Sequence, residues 1–207
     1  MSLKNKKILI TAGPTWVPLD AVRLISNIST GKTGILIANY ASEKDAKVTL
    51  FLGGTDKIRL NKNIRLINFK YFEELRDKLI RELKKKRYDF IIHSAAVSDF
   101  RPTKIIKGKI PSDRLYNLKL KPLPKIFKDI RKYAPKSKLI TFKLECNLSD
   151  SHLIKKAKNS LKQHNSDWIV ANRLSPYKAF IIDKDSVLES ASSREELAKK
   201  LIKIISL

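Results

Sequence analysis

Lys7-Ile8-Leu9-Ile10-Thr11-Ala12, followed directly by Gly13-Pro14, is the stretch that decides the fold. This compact apolar run is typical of a strand that is buried on both faces, as strands of parallel sheets are. Further strands are predicted at residues 47–52, 64–68, 90–94, 138–143 and 168–170. Helices are predicted between most of them, at residues 32–42, 71–86, 124–133 and 149–162, and again from Ser193 onward. The alternation predicts an α/β fold with a Rossmann-like, doubly wound and mainly parallel sheet.

Two segments depart from this alternation. Ala179–Asp183 and Val187–Ala191 flank Lys184-Asp185 and predict an antiparallel hairpin near the C-terminus. Residues 99–114 are polar, basic and interrupted by prolines, so we expect a long exposed flap there, with a strand at Tyr116–Leu120 after it. We expect residues 1–207 to form a single domain.

Composition limits the location and the class of the protein. No apolar run approaches the ~20 residues that span a bilayer, and the N-terminus leads into β-structure without a signal peptide. Cys146 is the one cysteine, so neither an internal disulfide nor a cysteine-rich metal site is expected. The sequence therefore predicts a cytoplasmic protein with no membrane partner.

The net charge of +24 has three interpretations. A basic surface indicates nucleic-acid binding when its cations are concentrated. Here lysines are spread along the chain, and the tight cluster Lys84-Lys85-Lys86-Arg87 ends a predicted helix, where the dipole favours cations. Solvated lysines are therefore the favoured interpretation, and no specific nucleic acid is expected as a partner. The third interpretation is a positive field that attracts nucleotide substrates, and it is compatible with both solvated lysines and nucleic-acid binding.

The first loop, residues 13–34, combines turn residues with hydroxyls and cations. It contains neither GxGxxG nor a Walker A sequence. Ser29-Thr30-Gly31 precedes a predicted helix, whose N-terminus favours an anion. Arg23 and Asn27 are four residues apart, and we expect them to share one face of a helical turn. An equally good interpretation is that Ser29 or Thr30 only caps the helix and that Arg23 is a surface charge without a function.

The second loop, Ser94–Pro102, follows another predicted strand. Ala95 and Ala96 leave room for a flat ligand against the backbone, and Asp99 is available to a metal or a hydroxyl group. A plain turn packed with small residues explains the same pattern equally well. In parallel sheets such loops meet at the carboxyl ends of the strands, so residues 13–34, 95–112 and 142–147 are expected to converge.

Charged and catalytic side chains elsewhere give weaker signals. The flap lysines Lys104, Lys107 and Lys109 are placed to close over phosphates, although exposed lysines are more often simply solvated. The three histidines are scattered along the chain and do not indicate a metal site, nor is there a Ser-His-Asp pattern.

Three segments taken together resemble the phosphopantothenate–cysteine ligase family, also called phosphopantothenoylcysteine synthetase. They are Gly13–Gly31, Ala95–Pro102 and Lys109-Ile110-Pro111-Ser112. Phe142–Glu145 and Asp167–Asn172 extend the resemblance over nearly the whole chain, in the same order. Because no other segment precedes the first strand, the resemblance is to the stand-alone form of the ligase, which implies no flavin.

The resemblance implies a two-step reaction of coenzyme A biosynthesis. The carboxylate of 4′-phosphopantothenate attacks the α-phosphate of CTP or ATP, pyrophosphate leaves, and an acyl-nucleotide forms. The amine of cysteine then attacks the acyl carbon and releases the nucleoside monophosphate. Mg²⁺ is implied as the metal, with its protein ligands left open. A homodimer with a shared active site is implied as well.

The resemblance also assigns roles to individual residues. Asn27 matches the residue that serves the cysteine-coupling step, Arg23 its neighbour, and Lys109 the flap lysine of nucleotide activation, with Lys107 as the alternative. Substrate contacts are implied for Ala95, Ala96, Ser29, Thr30 and Gly31. Nucleotide contacts are implied for Gly13, Thr15, Ser94, Asp99, Lys125, Ile126, Phe127, Phe142, Lys158 and Lys162.

Some positions depart from the family pattern. Pro14 replaces a glycine in the first loop and removes one backbone donor. Leu123-Pro124-Lys125-Ile126 replaces the usual N-P-D-I near the nucleotide, so CTP is only slightly favoured over ATP. Two other functions stay open, a nicotinamide-dependent reductase and a basic nucleic-acid-binding module. The missing GxGxxG and Tyr-x-x-x-Lys patterns are unfavourable to the reductase.

Overall fold

The computed structural model describes residues 2–54, 59–113 and 115–207, so Arg114, the last residue of the predicted flap, lies outside the described residues. In chain order the elements are β1 (Lys7–Ala12), β2 (Trp16–Pro18), β3 (Leu24–Ser26), α1 (Lys32–Glu43), β4 (Lys47–Gly53), β5 (Arg65–Phe69), α2 (Phe72–Lys85), β6 (Phe90–His93), β7 (Phe100–Pro102), β8 (Leu120–Pro122), α3 (Ile126–Tyr133), β9 (Lys138–Leu144), α4 (Asp150–His164), β10 (Trp168–Leu174), β11 (Tyr177–Ile182), β12 (Val187–Ala191) and α5 (Arg194–Ile205).

Eight of these strands form the central sheet, in the order β12-β11-β10-β9-β6-β1-β4-β5. The strands from β10 to β5 run parallel, and β11 and β12 are antiparallel additions at one edge. The predicted α/β class, the mainly parallel sheet and the C-terminal hairpin are therefore confirmed. Strand order reverses between β1 and β6, where ligands of such sheets commonly bind.

Alternating residues of the buried strands face two helical layers. Ile8, Ile10 and Ala12 of β1 pack in the core that also contains residues of α1 and α5. Leu9 faces the opposite side, with α2 and α3. A third cluster joins α4 to β10 and β11 on that same side. The predicted apolar stripe of α2 is confirmed, because Phe72, Leu75, Leu79 and Leu83 are all buried.

The first loop contains a hairpin that its sequence did not indicate. Strands β2 and β3 pair in antiparallel register, Trp16 with Ser26 and Pro18 with Leu24. Each has only three residues, too few for a visible period. The expected helical turn is therefore wrong, because the strand Leu24–Ser26 separates Arg23 from Asn27.

Two further strand boundaries differ from expectation. The strand predicted at Tyr116–Leu120 is wrong, since β8 spans Leu120–Pro122 and pairs with β7 at the start of the flap. β10 continues to Leu174 instead of ending at Val170, because its polar end pairs with β11. None of the described helices is long and apolar enough to cross a membrane.

Candidate active site

The first loop leaves β1 with its backbone pressed against the end of β4. Gly13 has a positive φ of 82°, and a Cβ there would lie 2.5 Å from the carbonyl oxygen of Gly53. Gly31 has a φ of 68° and packs on the backbone of Gly13. Only glycine satisfies both the conformation and the space. The glycines thus set the path of the first loop across the carboxyl ends of the strands.

A buried hydrogen-bond cluster fastens the first loop to the second loop. The Ser98 amide donates to Oγ1 of Thr15 at 2.8 Å, and the Ser98 hydroxyl donates to the Thr15 carbonyl at 3.0 Å. The Ala96 amide donates to the Gly13 carbonyl at 2.9 Å. Thr15 is fully buried. Thr15 therefore connects the two loops, and its hydroxyl is already hydrogen-bonded to Ser98.

Asn27 lies beside the two alanines of the second loop. Its Nδ2 donates to the carbonyls of Ala96 and Val97, at 3.2 and 3.0 Å. The side-chain amide is therefore oriented, and Oδ1 faces away from the two carbonyls that hold Nδ2. The structure brings Asn27, Ala95 and Ala96 together, as the sequence resemblance implied.

Helix α1 begins at this place with an open N-terminus. Its N-cap is Gly31, with no side-chain cap and no acidic residue in the first turn. Ser29 instead accepts a hydrogen bond from the Gly31 amide, and Thr30 is exposed. The interpretation of Ser29 or Thr30 as a side-chain cap is therefore wrong. Uncapped amides at a helix N-terminus favour an anionic ligand.

Asp20 connects the first loop to the flap and was not among the predicted site residues. Its carboxylate accepts from the amide of Ile110 at 3.0 Å and from the amides of Val22 and Arg23. The Ile110 hydrogen bond, with the other backbone donors and Arg23, lowers the pKa of Asp20 to about 2. The sequence offered one signal for a role of Asp20, namely its place between Leu19 and Arg23 in the first loop.

Further bonds hold the flap over the β2–β3 hairpin. The Arg23 guanidinium donates to the Ile110 carbonyl at 2.9 Å and pairs with Asp20 at 2.9 Å. Backbone bonds join Ala21 to Gly108 and Ile106 to Leu19. Arg23 is thus used in positioning the flap. Lys107 and Lys109 lie in the docked segment with exposed side chains.

A second charged group lies where α3 begins. The ammonium of Lys125 is 2.5 Å from a carboxylate oxygen of Asp99, and the Leu123 amide donates to the Asp99 carbonyl at 2.8 Å. Lys125 is the N-cap residue of α3, and Ile126 and Phe127 form its first turn. The structure therefore places four predicted nucleotide contacts together.

The site contains few ligands for a metal. Among residues 2–54, 59–113 and 115–207, no group of three His, Cys, Asp or Glu side chains is arranged to hold an ion. Mg²⁺ in nucleotide enzymes needs only one or two carboxylates, because phosphates and water supply the rest. The exposed carboxylate of Asp99 fits that requirement for an ion carried by the triphosphate.

Two histidines that are far apart in the sequence lie close together beside β9. His93 ends β6 and His164 ends α4. Nδ1 of His93 is 2.8 Å from the Thr11 hydroxyl, and Thr141, its register partner in β9, is 3.2 Å from Nδ1 of His164. Phe127 packs on the His164 ring at 4.1 Å. Burial, with the nearby His164, lowers the pKa of His93 to about 4, so its ring is neutral at pH 7.

Other predicted contacts have different places. Ser94 donates its hydroxyl to the Thr11 carbonyl at 2.7 Å. Phe142 packs on the sheet face that carries α1 and α5, opposite to Phe127. Lys158 donates to the carbonyl of Asp185 at 3.1 Å, beyond β11, and Lys162 is exposed on α4. Lys158 is therefore engaged away from Asp99 and Lys125, whereas Lys162 lies two residues before His164, whose ring packs on Phe127 at the start of α3.

Known proteins resemble this chain over nearly its whole length. The family described as DNA/pantothenate metabolism flavoprotein C-terminal domain matches residues 3–206. The chain belongs to this family. A curated relative, the coenzyme A biosynthesis bifunctional protein CoaBC of Thermococcus kodakarensis, is 36% identical over 200 residues. That alignment covers 97% of this chain and 48% of the relative, so the chain spans about half the length of the curated protein.

Solved structures show the same fold. The DNA/pantothenate metabolism flavoprotein of Streptococcus pneumoniae has a TM-score of 0.88 and 27% identity, covering 97% of this chain and 98% of that chain. The C-terminal domain of a CoaBC protein has a TM-score of 0.79, also at 27% identity, with coverage of 98% and 94%. A Cab2 variant solved with phosphopantothenate-cysteine has a TM-score of 0.78 and 20% identity, covering 98% and 86%.

Proposed function

We propose that this chain is a phosphopantothenate–cysteine ligase of coenzyme A biosynthesis, with residues 1–207 acting as one ligase domain. It activates the carboxylate of 4′-phosphopantothenate with a nucleoside triphosphate and couples the acyl group to cysteine. The family match over residues 3–206 supports this function, and so does the ligand of the Cab2 structure. We also propose a cytoplasmic location, which suits a biosynthetic enzyme that consumes nucleotides.

One observation carries the proposal. The amide of Asn27 is held by the carbonyls of Ala96 and Val97. Beside it α1 presents an N-terminus without a side-chain cap, and the flap crosses the β2–β3 hairpin. An oriented amide, an anion-favouring helix end and exposed flap lysines are the groups that an acyl-phosphate reaction needs.

In the first step the substrate carboxylate attacks the α-phosphorus, the bond to the β-phosphate oxygen breaks, and pyrophosphate leaves. Negative charge grows on the phosphate oxygens as the reaction proceeds. Lys109, with Lys107 as the alternative, supplies positive charge from the flap, and Arg23 keeps the flap in place through Ile110. Asp99 would help to hold a Mg²⁺ ion carried by the triphosphate, and such an ion would supply positive charge to the leaving group.

In the second step the cysteine amine attacks the acyl carbon, the bond to the phosphate oxygen breaks, and nucleoside monophosphate leaves. Asn27 is positioned to orient the amine through Oδ1, because its Nδ2 is already engaged. Ala95 and Ala96 provide the close approach for the acyl group, with Ser29, Thr30 and Gly31 near its phosphate. The nucleotide is assigned to the start of α3, with CTP only slightly favoured over ATP and no flavin needed.

We further propose a homodimer with a shared active site. The first loop and the segment between β7 and β8 expose apolar side chains that a monomer in water would ordinarily cover. Ile28 is fully exposed, Leu115 is 90% exposed and Val22 is 68% exposed. Exposed apolar groups of this kind commonly mark an interface. Ile28→Asp should give a monomer in light scattering with much reduced ligase activity, and a monomeric wild-type chain would contradict the dimer.

The direct test is a pyrophosphate-release assay with components omitted one at a time. We expect release to require phosphopantothenate, Mg²⁺ and a nucleoside triphosphate, and the coupled product to require cysteine. Parallel assays with CTP and ATP determine the base preference. If no nucleoside triphosphate supports release, the chain is not this ligase.

Asn27→Asp separates the two steps. A carboxylate cannot donate to the carbonyls of Ala96 and Val97, so the side chain loses the orientation that serves coupling. We expect overall turnover to fall about 100-fold while the acyl-nucleotide accumulates in mass spectra. Asn159→Asp, on the exposed side of α4, is the matched control. Unchanged coupling in Asn27→Asp would remove this assignment.

Lysine substitutions in the flap identify the activating cation. Lys109→Gln should abolish pyrophosphate release and leave coupling from a supplied acyl-nucleotide intact, since only the first step builds charge on the triphosphate. Lys107→Gln tests the alternative, and Lys104→Gln is the control within the same flap. Equal rates for all three variants and the wild type would contradict a role for the flap lysines.

A further inference from the structure

The edge of the sheet opposite to the active site carries a row of cations. Four of the parallel strands begin with a basic residue: Lys138 in β9, Lys7 in β1, Lys47 in β4 and Arg65 in β5. They follow one another across β9-β6-β1-β4-β5, with only β6 beginning differently. At a strand spacing of about 4.8 Å this row extends over roughly 19 Å.

Two adjoining depressions lie along this row, and we call them together the amino-edge groove. One contains Asn63 and Arg65 at its far end and the other contains Tyr133, Lys136 and Lys138. Both are lined by Lys7, Lys86 and Tyr88. The groove is therefore continuous and runs across the strands.

The carboxylates next to the groove are engaged with other groups of the protein, including Asp45, which lines one depression and accepts from the Ser2 hydroxyl at 3.2 Å. Glu82 accepts from Arg65 at 2.6 Å and from the Tyr88 hydroxyl at 2.6 Å. Asp167 accepts from Arg131, Lys138 and the Leu139 amide. Asp89 accepts from the backbone amide of Lys7 at 2.8 Å. These acids balance a few cations and leave the others uncompensated.

The uncompensated cations are numerous. Within the described parts of the chain, none of the following has a carboxylate oxygen within 4.0 Å of its charged nitrogens: Lys6, Lys7, Lys47, Lys84, Lys85, Arg87, Lys132 and Lys136. Helix C-termini favour some of them, at the ends of α2 and α3. Lys6, Lys7, Lys47 and Lys136 lie outside helices, so the helix dipole does not explain them.

The ligase reaction does not use this charge. The proposed active site lies beyond the carboxyl ends of the strands, and the six residues of β1 put about 20 Å between the two edges. Like charges concentrated on one surface repel one another and destabilise the fold. A bound polyanion would relieve that repulsion, which makes an anionic partner the simplest function of the groove.

One end of the groove adds the partly buried ring of Tyr133, with two cations close to it. The ammonium groups of Lys84 and Lys132 are 5.3 and 5.4 Å from the centre of the Tyr133 ring. Single-stranded nucleic acids are bound by basic grooves that follow the backbone and by aromatic rings that stack on bases. A compact nucleotide would contact only part of a row of roughly 19 Å, and an acidic peptide would have no base for the ring.

We propose that the amino-edge groove binds single-stranded nucleic acid without sequence preference. The phosphates contact the uncompensated lysines of the groove, among them Lys7, Lys47 and Lys136, and Tyr133 stacks on a base at the end of the groove. This binding goes beyond the ligase function and does not depend on it. The ligase substrates and the nucleic acid occupy opposite edges of the sheet, so both bind at once.

Fluorescence anisotropy with a fluorescein-labelled 16-mer of uridylate, at several salt concentrations, tests the groove. The variant Lys47→Glu/Arg87→Glu/Lys136→Glu, whose three positions all line the groove, should bind at least tenfold more weakly than the wild type. Its slope of log affinity against log salt should be smaller in magnitude by about 2, because each lost phosphate contact removes about 0.7. Both enzymes should release pyrophosphate at the same rate.

The control variant is Lys70→Glu/Lys155→Glu/Lys199→Glu, which changes the net charge by the same amount at exposed positions away from the amino edge. It should bind the 16-mer nearly as the wild type does. If both triple variants weaken binding equally, or if the wild type does not bind at 50 mM salt, the proposal that the groove binds nucleic acid is wrong. A folded groove variant is verified by its unchanged ligase activity.

Tyr133→Leu distinguishes nucleic acid from other polyanions. It should weaken binding of the 16-mer about tenfold, as lost base stacking does, and leave heparin binding unchanged. If the two ligands respond equally, or if polyglutamate of the same length competes as well as the 16-mer, the groove recognises charge alone and the proposal is wrong.

Discussion

At the scale of single residues, Asp20 accepts four hydrogen bonds with its two carboxylate oxygens, three from Val22 and Arg23 in the turn of the β2–β3 hairpin and one from Ile110 in the flap. Its partner Ile110 is 90 positions away along the chain. Such a contact between two irregular segments has no local pattern, so the sequence did not predict it. The contact of Asn27 with Ala96 was predictable only as the convergence of two loops at strand ends, since the roles of these residues rest on the family resemblance.

Asp20→Asn should release the flap. An amide nitrogen in place of one carboxylate oxygen faces the donors of Ile110 or Arg23 and repels them. We expect faster hydrogen exchange at Ile110 and at least a tenfold slower first step, with weaker effects on coupling. Asp185→Asn, in the exposed turn after β11, is the control. Unchanged exchange at Ile110 would contradict the role of Asp20.

The lowered pKa of Asp20 predicts how flap docking depends on pH. Folding lowers this pKa from 3.8 to about 2, so the carboxylate stabilises the docked flap above pH 3.8 and loses that effect as pH falls toward 2. Hydrogen exchange at Ile110, corrected for its intrinsic rate, should give constant protection from pH 5 to 8. A loss of protection near pH 6 would show that another group controls the flap.

The lowered pKa of His93 predicts that the stability of the fold depends on pH, in a range above that of Asp20. Its pKa falls from 6.5 to about 4 on folding, so the unfolded chain binds more protons between these values and stability decreases as pH falls. The free energy of unfolding should be about 2–3 kcal/mol lower at pH 4.5 than at pH 7, measured with urea. His93→Gln should remove most of this difference, whereas His152→Gln, on an exposed position, should retain it.

At the scale of elements, glycines determine how closely α1 approaches the sheet. A Cβ on Gly34 would lie 2.5 Å from Cβ of Ala12 and 2.7 Å from Oγ of Ser94. Gly34→Ala should therefore lower the free energy of unfolding by about 2–3 kcal/mol, measured with urea. Gly108→Ala meets no atom within 4 Å, and its φ of 80° should cost only about 1 kcal/mol. Equal losses would contradict the packing argument.

Elements with long apolar patterns were predictable, and short ones were not. β1 and the stripe of α2 follow from their periods, because burial on two faces or on one face fixes the pattern. The pair β2–β3 is held by contacts of the first loop with distant segments, such as Trp16 with the backbone of Lys70. β8 was misplaced for the same reason, since its position depends on β7.

At the scale of the whole molecule, the net charge of +24 should make stability depend on salt. Salt screens repulsion between the exposed lysines, so the thermal midpoint should rise by several degrees between 10 and 300 mM NaCl. The variant Lys47→Glu/Arg87→Glu/Lys136→Glu should gain less, because it removes charge from the most crowded edge. A midpoint that falls with salt in both proteins would contradict this account.

The active-site edge was also predictable as a whole, while its details were not. The topology of a doubly wound sheet brings the first and second loops together at the strand ends, and the structure confirms their contact through Thr15 and Ser98. Segment 142–147 shows no such bond: Glu145 pairs with Lys143 and Lys156. Which loops join depends on side-chain partners that strand order does not determine.

The ligase function is tested most directly by mass spectrometry of one reaction mixture. Purified protein with phosphopantothenate, cysteine, Mg²⁺ and CTP or ATP should form phosphopantothenoylcysteine, with one pyrophosphate and one nucleoside monophosphate for each product. Without cysteine, the acyl-nucleotide should appear instead. Release of nucleoside diphosphate, or no coupled product with either nucleotide, would contradict the account.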